Sequence, residues 1–367
     1  MRGSTPDDDR DVDGRDDDPL ALVVPKESVD PTLDALRETG TYDDERRLVE
    51  YDDDRIAIPV TEPLADGALP DGLRGELVRQ ADPQYRTRGI EDVLRERGWT
   101  DAEIARVPNS WAVLGTVILI SLGTADEGDD DDGEGTFTDE QEVEIGEALL
   151  DLHGGADTVL AREGISGETR EPSVRVIAGE GDTETVHTEH GIDYGMDLAR
   201  VMFSPGNKAE RKRMGEVVDP GERVFDMFAG IGYFTLPMAA AGARVTATEI
   251  NPEAFRYLLK NAVSNGVQDR IAAYRADCRD VDATADRIVM GYYDAHEYLD
   301  AALDALEPGG GVHLHEAVPD DLLWDRPIGH LENAASDADR EVEILDRRRV
   351  KTHSEGVSHV VVDARVT

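Results

Sequence analysis

The chain has 367 residues, enough for two or three domains, with 38 basic and 81 acidic residues and a formal net charge of −43. Its one cysteine, Cys278, excludes an intrachain disulfide and a cysteine metal cluster, and no apolar run reaches the length of a membrane span. Five of the basic residues are lysines (Lys26, Lys208, Lys212, Lys260 and Lys351) and 33 are arginines. Acid excess with so little lysine is expected of a halophilic protein, since in molar salt the Debye length falls to ~3 Å and self-repulsion is screened. Charge therefore says little about the ligand.

Residues 1–19 are Asp-rich and nearly free of large apolar groups, which predicts a disordered acidic tail, and the opening residues are not a signal peptide. A small β-α-β accessory module is expected over 20–60, with strands at 20–25 and 55–60 and a helix at 30–40 ended by Gly40. Pro and Gly mark 61–72 as a linker. An α+β middle domain is expected over 73–200. It contains one or two buried strands at 111–120, an acidic loop at 125–135, a helix at 143–153, short strands at 158–161 and 174–177, and a hairpin at 185–194. The remainder, 201–367, alternates strands (223–228, 244–249, 271–275, 286–290, 311–315, 341–350, 358–365) with helices (234–241, 252–265, 295–306, about 321–337). Alternation predicts an α/β domain with a mostly parallel sheet, closed by a pair that is a candidate for antiparallel pairing.

The chemistry is concentrated in Val224-Phe-Asp-Met-Phe-Ala-Gly-Ile-Gly-Tyr-Phe234 and Glu249-Ile-Asn-Pro252. An apolar strand enters a glycine turn, a helix follows, and an acid closes the next strand, the arrangement that binds a nucleoside cofactor. Gly230 and Gly232 allow close backbone approach. Glu249 lies 17 residues beyond Gly232, near the spacing of an acid that holds ribose hydroxyls. A third glycine is missing, as is the open helix N-terminus that a pyrophosphate would use, so the motif points to S-adenosylmethionine rather than NAD.

Asp226 is either a partner for cofactor or loop amides or a structural carboxylate bracing the turn, because an unpaired carboxylate in an apolar strand is costly. Ile250 and Asn251 flank the expected nucleoside, Asp277 and Cys278 sit where adenine would lie, and Phe228, Ala229 and Gly291 complete the candidate cofactor set. Lys208, Arg211, Lys212 and Arg213 form one basic island, a candidate for phosphate or cofactor-carboxylate contact against this acidic background, and 347–351 a second, a candidate for nucleic-acid phosphate or, as a strand-end cluster, for a structural role. His313, His315 and Glu316 raise the question of zinc, but no third strong ligand is placed by sequence, and no metal is expected.

Taken together, Phe203-Ser-x-Gly-Asn207, Glu210-Arg211-Lys-Arg213, Asp226 through Thr235, Glu249-x-Asn-Pro252, Asp286-Arg-x-x-Met-Gly-Tyr292, His313-x-His-Glu316, Arg326-Pro-Ile328 and His359-Val-Val-Val-Asp363 resemble the archaeal tRNA wybutosine-pathway aminocarboxypropyltransferases. Their sister family is the tRNA guanine-37 N1-methyltransferases. The sisters typically carry Asn-Leu-Pro after the fourth strand and an arginine in Phe-Ser-Pro-Arg; here Met290-Gly-Tyr-Tyr293 and Gly206-Asn207 stand instead. The resemblance implies a Rossmann-like class I S-adenosylmethionine fold with smaller N-terminal domains. It implies transfer of the 3-amino-3-carboxypropyl group to C7 of 4-demethylwyosine at position 37, in the anticodon loop of tRNA(Phe); the single cysteine and the lack of a signal peptide predict a cytoplasmic protein, and a monomer is favoured. The resemblance also places cofactor contacts on Ser204, Arg211, Glu249, Asp277 and Cys278, although the family usually has Asn at position 278. Arg211 is the expected clamp on the methionine carboxylate, and Glu210 a candidate to position substrate or accept a proton. Methyl transfer to guanine-37 and a non-catalytic tRNA-binding role are the alternatives.

Overall fold

The computed structural model describes residues 18–63, 74–80, 83–86, 88–122, 137–167 and 169–367. Most of the tail, of the 61–72 linker and the whole 125–135 loop lie outside these residues. The chain forms two compact units, 1–93 and 94–367.

In the first unit, β1 (Leu20–Pro25), α1 (Val29–Glu38), β2 (Val49–Glu50), β3 (Arg55–Pro59) and β4 (Glu76–Arg79) make a sheet of order β2-β3-β1-β4, with all pairs antiparallel. This differs from the expected β-α-β module, which stopped at residue 60: β4 pairs with β1 across the 61–72 stretch. Leu22, Val24, Leu36 and Ile58 form its core. Arg46 is buried beneath the sheet edge, where its guanidinium meets Asp43, Gln80 and the carbonyls of Leu20 and Val60.

A helix α2 (Ile90–Glu96) runs across the division between units. Then come α3 (Asp101–Ile104), β5 (Trp111–Leu114), β6 (Val117–Ile120), α4 (Asp139–Leu152), β7 (Thr158–Ser166) and β8 (Glu171–Gly179). Thr100 and Thr138 cap α3 and α4 with full capping boxes, each threonine oxygen and its third-position Glu or Gln satisfying the first free amides. The hairpin β9 (Glu184–Glu189) and β10 (Ile192–Asp197) turns through His190 and Gly191, both at positive φ, the geometry that matches strand twist in a two-residue turn.

The helix α5 (Lys208–Val217) leads into the alternating region: β11 (Arg223–Asp226), α6 (Thr235–Ala240), β12 (Arg244–Thr248), α7 (Pro252–Ser264), β13 (Ile271–Tyr274), β14 (Ala285–Met290), α8 (Leu299–Ala305), β15 (Leu306–Pro319), α9 (Asp325–Asp337), β16 (Val342–Ser354) and β17 (Val357–Val366). They build a seven-stranded sheet of order β13-β12-β11-β14-β15-β17-β16. The first five strands are parallel, and β17 and β16 add antiparallel, as the alternation predicts. Apolar clusters cover both faces, as a parallel sheet requires. One cluster joins Leu114, Leu160, Tyr194 and Met196 to Val224, Ala229 and Leu258. The stretches 73–200 and 201–367, expected as separate domains, therefore share a core from residue 94 onward.

Candidate functional site

A cleft opens at the carboxyl ends of β11, β12 and β14, where an open α/β sheet binds its ligands. Three loops, the segment before α5, the tip of the β7–β8 turn and β17 all contribute to it. Gly230 (φ 57°) and Gly232 (φ 105°) turn the chain after β11 in a conformation that L side chains rarely adopt. A Cβ on Gly230 would come within 2.2 Å of the Tyr233 ring, and one on Gly291 within 2.7 Å of Phe234.

Glu249 stands at the end of β12 with its carboxylate fixed at both oxygens. Gly230 N donates to Oε2 at 2.7 Å and Asn251 N donates to Oε1 at 2.7 Å. Burial raises its pKa while these amides oppose the rise. Each oxygen keeps a lone pair for a further donor. Asn251 caps α7 by accepting from Glu253 N and Ala254 N, and its Nδ2 donates to Thr169 O at 3.1 Å, tying the β7–β8 turn to the rim. Phe228, Tyr292 and Tyr298 make an aromatic wall, with Phe228 5.3 Å from Tyr292 and 5.1 Å from Tyr298 between ring centroids.

Of the residues expected at the cofactor, Ser204, Arg211, Phe228, Gly230, Glu249, Ile250, Asn251 and Gly291 border the cleft. Asp226 does not. It is fully buried, accepts from Thr235 Oγ1 at 2.6 Å and from Phe228 N at 3.4 Å, and braces the glycine turn from beneath. Burial pushes its pKa up to about 6. Ala229, with no exposed surface, and Gly232, packed on Leu236 and Leu258, also lie behind the cleft wall. Cys278 is buried in the cluster with Phe225, Met227 and Ala285, which drives its thiol up to about 12. The Asp277 carboxylate is held by Arg279 at 2.6 and 2.9 Å.

Arg211 is not free to act as a simple clamp. It is 2% exposed and forms a two-pronged pair with Glu189 of β9, with Nε–Oε2 at 2.6 Å and Nη2–Oε1 at 2.9 Å, and Nη1 donates to Ser204 O. Glu210 faces away from the cleft, paired twice with Arg348 at 2.7 and 2.8 Å. Arg348 and Arg213 both reach Asp363, which also binds His313 Nδ1 at 2.6 Å, and His313 Nε2 meets Arg287. This network staples α5 to β14–β17. Much of both basic islands is thus consumed internally, because the acidic partners lie far off in sequence; exposed Lys212 pairs with Glu216, and Arg349 with Asp320.

Three further cations gather here: Arg170 borders the cleft, Lys351 reaches the cleft-lining Ser204 from behind, and Arg162 lies beside Phe203. The guanidinium of Arg170 lies 5.1 Å from the Tyr293 ring centre. Lys351 Nζ donates to Ser204 Oγ at 2.6 Å, and its pKa is lowered by burial and then by Arg162, Arg211 and Arg170. Among the described residues no carboxylate forms an ion pair with Arg162, Arg170 or Lys351. In a chain with this acid excess, that concentration of unneutralised charge is a candidate anion site. The β7–β8 turn carries no motif, and only the fold brings Arg170 here. His313, His315 and Glu316 are separated as metal ligands: His315 Nδ1 lies 3.1 Å from His359 Nε2, and Glu316 bonds Arg326 and His330. His296, Glu316 and His330 do bring ligand atoms within 4.8 Å of one another.

Residues 90–183 match the TYW2 N-terminal domain and residues 185–345 the TRM5/TYW2 methyltransferase domain. The tRNA(Phe) (4-demethylwyosine(37)-C(7)) aminocarboxypropyltransferase of Pyrococcus horikoshii is 38% identical over 288 residues, covering 77% of this chain and 99% of the relative. The chain belongs to the TYW2 family. Among solved structures, P. horikoshii TYW2 in complex with MeSAdo is 35% identical, covers 76% of this chain and 97% of its own, and has a TM-score of 0.63. The complex of aTrm5 with tRNALeu is 25% identical with a TM-score of 0.66, and covers 95% of this TYW2-family chain and all of its own. No described helix is long and apolar enough to cross a membrane.

Proposed function

We infer that this chain transfers the 3-amino-3-carboxypropyl group of S-adenosylmethionine to C7 of 4-demethylwyosine at position 37 of tRNA(Phe), releasing 5′-methylthioadenosine. The observation that carries the reading is the cleft itself: a fixed acid at the end of β12 for the ribose, an aromatic wall, and cations at one side, Arg170 in the lining and Lys351 on the cleft-lining Ser204. All three carbons on a sulfonium are electrophilic, so the carbon placed in line with the nucleophile reacts. Anchoring the carboxylate at this cationic pole would aim the γ-methylene. Lys351 and Arg170 take the role expected of Arg211 alone, and Arg211 positions the Ser204 segment. Gly291-Tyr-Tyr293, where the sister methyltransferases carry Asn-Leu-Pro, lines the side that would receive the base.

The sulfonium is its own activated leaving group, so this reading includes no metal. It places a monomeric enzyme in a salt-rich archaeal cytoplasm, acting on the anticodon loop. The test is product analysis with precursor-bearing tRNA. The inferred reaction gives 5′-methylthioadenosine and carries carboxyl label into tRNA. S-adenosylhomocysteine with methyl label in tRNA would instead make it a guanine-37 methyltransferase.

A further inference from the structure

Alkylation of a ring carbon leaves a proton to be disposed of. The π electrons at C7 form the new bond to the γ-carbon. The sulfur–carbon bond breaks and its electron pair stays on sulfur, which becomes the neutral thioether. The ring is then a cation whose C7 still bears hydrogen, and losing that proton restores its aromaticity. Among the described residues bordering the cleft, the carboxylates and imidazoles are Glu249 and His359. Glu249 is held by two backbone amides at the ribose end. His359 stands on β17, on the side of Tyr293, with ring centroids 4.9 Å apart. It is 1% exposed, its Nε2 lies 3.1 Å from His315 Nδ1, and its Nδ1 has no hydrogen-bond partner among the described residues. A buried ring nitrogen without a partner costs stability unless a ligand or a reaction uses it.

We propose that His359 is the catalytic proton acceptor, its bare Nδ1 taking the proton that C7 sheds after the carbon–carbon bond has formed. His315 is the positioning residue: its Nδ1 lies 3.1 Å from His359 Nε2, and with the proton of that contact on His359 the Nδ1 of His359 is left unprotonated. The surroundings keep the ring neutral. Burial lowers the pKa of His359, and His315, Lys351 and His353 lower it further, against an opposing effect of Glu210. A weak base suffices, because a ring cation about to regain aromaticity is a strong acid. The proton leaves to solvent when the products depart.

The inference rests on the alkylation reading, and the two fail separately: product identity in the unaltered enzyme tests the reaction, and the following tests His359. His359→Gln and His359→Asn should keep cofactor affinity and melting temperature and slow single-turnover appearance of the rearomatised C7-alkylated tRNA by roughly 10²- to 10⁴-fold. Precursor tRNA deuterated at C7 should show a primary isotope effect larger in these variants than in the parent, which loss of packing alone would not produce. His153→Gln, whose ring meets Trp111 away from the residues that border the cleft, should leave both readouts unchanged. Full rate with an unchanged isotope effect in a folded His359 variant would overturn the proposal. A second measurement needs no variant. Spectra of the enzyme labelled with ¹⁵N-histidine should contain an imidazole with unprotonated Nδ1 that shifts when precursor tRNA and 5′-methylthioadenosine bind. No such response from any of the nine histidines would also overturn it.

Discussion

Arg211 and Glu189 face each other through two charge-assisted hydrogen bonds, 2.6 and 2.9 Å long, with neither side chain more than 3% exposed. The pair joins α5 to the β9–β10 hairpin and stands directly behind the Ser204 segment. Glu189 is held down to about 2 by His187 and Arg211 against the cost of burial. Removing one partner leaves a buried charge uncompensated, so Arg211→Ala should cost about 3–5 kcal/mol of stability. Denaturant unfolding of the two single variants and the double would check this. Additive losses would mean that the pair is not coupled.

The role of Glu249 can be measured at equilibrium. Glu249→Ala should weaken S-adenosylmethionine and 5′-methylthioadenosine alike, by about 1–3 kcal/mol each, since both carry the ribose. Calorimetry in molar salt is the measurement. Unchanged affinity in a folded variant would remove Glu249 from the site.

The cationic pole predicts the opposite pattern. Lys351→Met and Arg170→Gln should weaken S-adenosylmethionine about tenfold or more, the scale of one charge-assisted bond, and spare 5′-methylthioadenosine, which lacks the carboxylate. Weaker tRNA binding with normal cofactor affinity would assign the pole to phosphate instead.

Asp226 predicts a pH effect of unusual sign. With its pKa pushed up to about 6 from 3.8, the folded state binds this proton more tightly than the unfolded chain. The associated stability is complete below the unfolded value and is lost as pH rises through about 6. Asp226→Asn should therefore gain on the parent enzyme, by roughly 3 kcal/mol at most, as pH is raised from about 4 to 7. A constant difference in melting temperature across that window would contradict the shift.

The parallel sheet, its antiparallel closing pair and the position of Glu249 were legible because each depends on local pattern: alternating elements, a glycine turn, an acid at a fixed spacing. What the sequence hid was pairing. Glu210, Arg213 and Arg348 read as site or phosphate residues because their partners are 15 to 150 positions away. Asp226 read equally well as ligand or brace until Thr235 was seen on its carboxylate. Arg170 and His359 carry no motif spacing relative to the glycine turn, and only the tertiary fold delivers them. In the first unit, β4 was missed because Glu76–Arg79 is short and mostly exposed, so its apolar pattern is weak.

The hydrogen bond from Lys351 to Ser204 spans 147 positions, and that from Arg213 to Asp363 spans 150. Contacts of such separation form late, because the loop-closure entropy must be met before they yield any gain. During synthesis, β11, β12 and β14 can pair in succession while β16 and β17 are still inside the ribosome. The half-built sheet then presents a ribose-binding acid with neither Lys351 nor His359 beside it. The two halves of the chemistry are in this way separated in time, and the nascent chain acquires an assembled cleft only when the last two strands close on β15.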